Sequence, residues 1–248
     1  MKITNKYILS SIVVPIEFTV PSKIIVAVKA AAHAGADIVE LRVDKYLLAG
    51  ISLDKICAIA VEIKHSVKCG VLLTVRSPKE NGMRRTAVVD KKLSDNIRKK
   101  AYLMLIKYVD FVDIELSSNK IIREVISRVK KLNKKVVVSY HNFSGTPSNT
   151  ALSRFLVRGK KFNADIVKLA VVPKNQHDVW RLLNFCRANN NTKPRLAVVS
   201  MTSLGTISRI LGFIYGSQLT YAYLKSQNAS GQVSLKSLKC FYNRLHSI

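Results

Sequence analysis

Eight short apolar segments separated by amphipathic stretches predict an α/β protein built from parallel βα units, and that number in 248 residues fits a single (β/α)8 TIM barrel covering residues 1–248. An open doubly wound sheet is the alternative, but no G-x-G-x-x-G turn follows an early strand. No Pro/Gly/Ser-rich linker or composition shift marks a domain boundary.

The first strand is expected at Ile8–Ile16. Lys2 and Lys6 ahead of it loosely imitate a secretion signal, but Glu17 follows and no small-residue cleavage site appears. Ser22–Ala34 has helical periodicity and leads to a second strand at Ile38–Val43; the third is expected at Val71–Val75. The amphipathic stretch Leu93–Tyr108 then precedes a strand at Phe111–Leu116, and Lys120–Leu132 precedes Val136–Tyr140. Thr150–Lys161 leads to Ile166–Val172, Asn175–Ala188 to Leu196–Met201, and Ser208–Tyr215 to Gln218–Tyr223.

Composition narrows the function classes. No apolar stretch approaches the roughly 20 residues needed to span a bilayer. Cys57, Cys69, Cys186 and Cys240 are scattered without C-x-x-C or zinc spacing, and read as reduced thiols of a cytoplasmic protein. The 41 Lys and Arg against 15 Asp and Glu give a net charge of +26, which raises the question of nucleic acid. The cations come as short pairs (Lys91-Lys92, Lys99-Lys100, Lys130-Lys131, Lys134-Lys135, Lys160-Lys161), mostly on helix faces or ends, with no aromatic stacking motif. They read as a solvated surface that concentrates small anions.

In a (β/α)8 barrel the active site is built from strand C-termini and the loops after them. The ionisable residues gather there. The second strand ends Glu40-Leu41-Arg42-Val43-Asp44, with Glu40, Arg42 and Asp44 expected on one face. The third ends at Arg76-Ser77-Pro78-Lys79-Glu80, the fourth carries Asp113 and Glu115, and the fifth ends at His141-Asn142. Lys168 lies in the middle of an apolar run, where a desolvated amine becomes a nucleophile for carbonyl carbon. Taken singly, Lys168 could be a lysine reaching water, His141 a structural histidine, and Glu40 with Arg42 an ion pair. Together they offer an amine, an imidazole base, carboxylates and anion-binding arginines, the inventory of a carbonyl-dependent lyase.

The set Glu40-x-Arg42-x-Asp44, Arg76-Ser77-x-Lys79-Glu80, Ser139-x-His141-x-Phe143, Ala164-Asp165-Ile166-x-Lys168, Met201-x-x-x-Gly205-x-x-Ser208-Arg209 and Gly231-Gln232 resembles type I 3-dehydroquinate dehydratase, in the family's order and over nearly the whole chain. The resemblance implies a (β/α)8 fold and dehydration of 3-dehydroquinate to 3-dehydroshikimate in the shikimate pathway of aromatic amino-acid biosynthesis, with no metal or cofactor. It implies an imine on Lys168, with His141 as general acid–base and Glu80 as the carboxylate that holds His141. Arg209 and Gln232 would bind the substrate carboxylate, while Glu40, Arg42 and Arg76 would contact its hydroxyls. Asn228 stands where the family's substrate-touching serine stands, Ser230 replaces a proline, and Asn142 replaces an aspartate. The implied partner is a small anionic substrate, with no nucleic acid or membrane, and the implied assembly is a homodimer.

Two rival readings remain at this stage. An aldolase-type barrel lyase would share Lys168 but need no carboxylate clamp. A basic nucleic-acid-binding protein on a barrel scaffold would show strongly salt-dependent binding and no turnover. Any DNA or RNA binding is expected to be weak, sequence-independent and largely lost at physiological salt in a filter-binding titration; specific binding that persists there would revive the second rival.

Overall fold

The computed structural model describes residues 10–80, 86–227 and 230–246. Eight parallel strands run in chain order: β1 (Ser11–Ile16), β2 (Ile38–Arg42), β3 (Gly70–Thr74), β4 (Phe111–Glu115), β5 (Lys135–Asn142), β6 (Ile166–Val171), β7 (Arg195–Ser200) and β8 (Leu219–Tyr223). They match the expected strands to within about two residues, except that Ile8 and Leu9 lie outside the described residues. A two-residue β9 (Val233–Ser234), too short for any periodicity to reveal, pairs parallel with β8.

The sheet order is β7-β6-β5-β4-β3-β2-β1-β8-β9, so each strand from β1 to β7 lies beside its successor or predecessor in sequence, and β8 returns to β1. Between β7 and β8 there is no regular ladder. Gln218 N donates to Leu196 O at 2.8 Å, and Ser217 Oγ accepts from Val198 N at 3.0 Å and donates to Leu219 O at 3.1 Å. These bonds close the (β/α)8 barrel with a buried serine standing in for missing backbone pairing.

The outer helices follow the expected pattern with shifts set by local chemistry. The fourth strand's helix begins at Asp95 rather than Leu93 and tightens into a 3-10 turn at Ile106–Tyr108. The Thr206–Leu211 helix stops four residues short of the expected end. Ser148 caps the Asn149–Lys161 helix through Ala151 N, and Asn175 caps Gln176–Ala188 through Asp178 N.

Alternation along the strands produces two cores. Outward-facing Val14, Val39, Leu73, Ile114, Val138, Val167 and Val198 pack against the helices. Inward-facing Val13, Ile38, Leu72, Val137, Ile166 and Ala197 fill the lower barrel. Two residues further along the same inward rows the side chains become polar: Glu40, Thr74, Ser139 and Lys168. One barrel interior thus carries an apolar floor and a charged upper layer.

Helix-to-strand contact is tightest at Gly159, where a Cβ would lie 2.2 Å from Val167 Cγ2. Alanine would ordinarily gain about 1 kcal/mol in a helix over glycine, but overpacking a core costs about 1–3 kcal/mol. Gly159→Ala should therefore lower stability by up to about 2 kcal/mol in urea unfolding; a raised midpoint would show that Val167 moves aside.

Candidate active site

Asp113, on β4 and fully buried, is the hub of the charged layer. Arg76 grips it with two bonds, Nη1 to Oδ1 at 3.1 Å and Nη2 to Oδ2 at 3.2 Å. Ser139 Oγ donates to Oδ1 at 2.6 Å, and Lys168 Nζ reaches Oδ2 at 3.2 Å. The register explains this meeting, because Ser139 on β5 pairs directly with Lys168 on β6. Burial alone would raise the Asp113 pKa, but Arg76 and Lys168 outweigh it and hold the carboxyl well below the usual range.

A second carboxylate extends the network outward. Glu115 accepts from Arg76 Nη1 at 3.2 Å and Ser77 N at 2.7 Å, and its other oxygen meets Arg98 Nη2. Arg98 comes from the Asp95–Leu105 helix yet is only 1% exposed, with Nε donating to Val75 O at 3.0 Å. Every charge here has an opposite partner, and the two carboxylates and two arginines make further hydrogen bonds, the condition under which buried ions are tolerated.

His141 stands one pleat above Ser139 on the same inward row. Its Nδ1 lies 3.0 Å from Glu80 Oε2, and its backbone N donates to the same oxygen at 3.0 Å. Ser117 donates to the other Glu80 oxygen. Burial, reinforced by the positive charges of Arg76 and Lys168, holds His141 well below its ordinary pKa, and burial raises Glu80. With a carboxylate on Nδ1, the tautomer is assigned by partner: Nδ1 carries the proton and Nε2 the lone pair. Asn142 does not touch the imidazole. Its Oδ1 accepts from Ser144 N at 2.9 Å and Ser144 Oγ at 2.7 Å, a turn at the end of β5.

Arg42 is placed differently from the alternation argument. Strand β2 ends at Arg42 and Val43 begins a helix, so Asp44 does not continue an inward strand face. Arg42 pairs with Asp44 (Nη2–Oδ2 2.7 Å) and Glu17 (Nη1–Oε1 3.0 Å), while Glu40 accepts from Thr74 Oγ1 at 2.7 Å. Where an ion pair of Arg42 with Glu40 was one alternative, Arg42 pairs with Asp44 and Glu17.

Arg209 contrasts with the other arginines. It is buried, no carboxylate pairs with it among the described residues, and its Nε has no hydrogen-bond partner. Burial pushes its pKa down to about 10. The local chain accounts for its position: Ser208 Oγ accepts from Ser200 N at 2.9 Å and donates to Gly205 O at 2.7 Å, tying the helix start to the end of β7. Thr220 Oγ1 on β8 also donates to Arg209 O at 2.8 Å. Gln232 is half-buried beside β9, next to Gly231. Asn228 lies outside the described residues.

A cavity of about 640 Å³ opens elsewhere, lined by Ile16, Phe18, Lys23, Val26 and Leu224. It meets the charged layer only through Glu17, the partner of Arg42. Its volume says nothing of where chemistry occurs; the geometry around Lys168 does. Among the described residues no group of His, Cys, Asp and Glu is arranged to hold a metal ion, and no helix is long and apolar enough to cross a membrane.

The fold and the charged ring at the carboxyl ends of its strands define a (β/α)8-barrel enzyme. Residues 12–248 match the family model for type I 3-dehydroquinase. The chain is 37% identical over 205 residues to 3-dehydroquinate dehydratase of Hydrogenobaculum sp. (strain Y04AAS1), covering 82% of this chain and 86% of that one. It is 35% identical over 210 residues to the Aquifex aeolicus (strain VF5) protein of the same name, covering 85% and 88%. The structure is similar to that of type I 3-dehydroquinate dehydratase from Clostridium difficile, with TM-score 0.86, 31% identity and coverage of 96% of this chain and 93% of that one. The chain belongs to the type I 3-dehydroquinase family, and is a hydro-lyase.

Sequence reading placed Lys168 within its strand and His141, Glu80, Glu40, Arg76 and Arg209 at strand ends or in the segments after them; the structure buries all of these but His141, which is partly exposed. It did not foresee Asp113 as the partner of Lys168, nor the 4.2 Å approach of Lys168 Nζ to the Tyr221 ring. Asp113 contributes stability that is complete above the unfolded carboxylate pKa of about 4 and fades as pH falls through that range, because the folded group stays ionised while the unfolded one binds a proton. Asp113→Asn should cost roughly 3–5 kcal/mol. It should also flatten the loss of unfolding free energy between about pH 5 and 3 relative to wild type; equal slopes would contradict the assignment.

Proposed function

We propose that this chain dehydrates 3-dehydroquinate to 3-dehydroshikimate through an imine on Lys168. The observation that carries the reading is the meeting of a buried lysine, a neutral histidine and an uncompensated arginine at one barrel mouth. Unprotonated Lys168 Nζ attacks the substrate ketone, and the resulting carbinolamine takes up one proton, given back on the final hydrolysis, as it loses water to leave a protonated imine. That imine is an electron sink that acidifies the neighbouring C–H. His141 Nε2 removes this proton, the electron pair moves into an enamine, and the β-hydroxyl departs with the proton returned by His141 as water. Hydrolysis of the conjugated imine frees the enone product and restores Lys168.

The remaining residues act by position. Asp113 is shared among Arg76, Ser139 and Lys168, so it orients the amine without being its exclusive counterion. Glu80 fixes the imidazole tautomer and its aim. Arg209 and Gln232 are assigned to the substrate carboxylate, and Glu40, Arg42, Arg76 and the loop residue Asn228 to its hydroxyls and the order of the site. Holding the carboxylate converts remote binding into orientation of the reacting carbon. The relative from Clostridium difficile was solved with covalently modified comenic acid, which supports a nucleophile in the corresponding barrel. The same reading, with the family resemblance, carries a homodimeric cytoplasmic enzyme of the shikimate pathway that acts without metal, cofactor or nucleic acid.

Borohydride added with 3-dehydroquinate should inactivate the protein and leave a mass adduct on the peptide containing Lys168; Lys168→Ala should give none. His141→Ala should still trap an imine slowly while turnover falls about 10²–10⁴-fold. An adduct on another lysine, or turnover that survives in His141→Ala, would overturn the mechanism.

A further inference from the structure

Tyr221 is a large polar side chain in the barrel interior to which the mechanism above gives no part. It lies on β8, paired with Val13 of β1, among the inward-facing residues, and is 6% exposed. Its ring centroid is 4.2 Å from Lys168 Nζ, a cation–π distance. Its hydroxyl is buried with no hydrogen-bond partner among the described residues. A buried orphan hydroxyl is costly and calls for a partner that arrives from outside.

A second orphan lies close in the fold. Arg209 Nε is buried and unpartnered, and the residue next to Tyr221, Thr220, anchors the Arg209 backbone. Tyr221 also lies near enough to the Arg209 guanidinium for the two to interact electrostatically. Burial and the nearby Glu40 and Asp113 hold the phenol well above its ordinary pKa, so it remains protonated and can donate. Two buried donors in the same region of the barrel, neither with an acceptor among the described residues, match an incoming oxyanion.

We propose that Tyr221 is a positioning residue for substrate: its ring face holds the Lys168 nitrogen in place against Asp113, and its hydroxyl donates to the carboxylate bound by Arg209. The ring also faces the cation that persists when the amine becomes a protonated imine. The proposal rests on the imine reading and adds to it a neutral donor at the carboxylate.

Tyr221→Phe keeps the ring and removes the donor. It should raise KM for 3-dehydroquinate about tenfold or more. At saturating substrate, kcat and the rate of borohydride inactivation should stay within about twofold of wild type. In an Arg209→Gln background the same substitution should raise KM much less, because the two donors share one acceptor. Tyr221→Leu should in addition slow imine trapping, with thermal unfolding used to confirm that the variant is folded. An unchanged KM in Tyr221→Phe overturns the hydroxyl's role, and unchanged trapping in folded Tyr221→Leu overturns the ring's. Failure of the wild type to trap any imine instead overturns the underlying mechanism, and the two failures are therefore distinct.

Discussion

A carboxylate that never meets water orders the upper barrel. Asp113 receives a two-point grip from Arg76, a hydroxyl from Ser139 and the amine of Lys168. In a low-dielectric interior none of these groups could keep its charge alone, since desolvation of an isolated ion exceeds any single contact. Their mutual satisfaction lets the barrel carry an ionic layer directly above an apolar floor. Parallel register then decides which side chains meet, placing Ser139 opposite Lys168 and His141 opposite Ala170. The small Ala170 side chain at that pairing leaves the imidazole without a bulky neighbour on β6.

Much of this was legible in the chain. The eight strands emerge from apolar segments bounded by helical periods, because in a barrel every strand has one face on the helices and the other inside. Lys168 stood out for the same reason: a cation in an apolar row marks an inward position. Periodicity gives a face but not a partner, so Asp113 was visible only as one of two acids on its strand, and Arg98 gave no sign that it leaves its helix face to reach Glu115. Asp44 misled by the same logic. Alternation holds only while the strand lasts, and β2 ends two residues before it. Tyr221 read as an ordinary member of its strand, since nothing local reveals a hydroxyl without an acceptor.

The charged layer and the proposed anion site belong to different parts of the ring. The ionic network is built on β3, β4, β5 and β6, where regular ladders fix every neighbour. Arg209 and Tyr221 come from the seam around β7 and β8, which is closed by a serine hydroxyl and one backbone bond rather than a ladder. The groups paired with one another within the protein sit on the regular side. The two orphan donors proposed to meet the substrate sit on the side held by fewer bonds.

The Gly231 turn ties that seam to residues beyond β8. Gly231 has φ +77°, and a Cβ there would lie 1.9 Å from Thr202 O. Thr202 itself holds φ +65°, an unusual conformation for a β-branched residue, and its carbonyl accepts Gly205 N at 3.2 Å to begin the turn that presents Arg209. A single methyl at position 231 would therefore press on that carbonyl and, through it, on the guanidinium several residues away. On the proposed reading such a change would weaken the hold on the substrate carboxylate, although the added atom presses first on the backbone of the Thr202 turn.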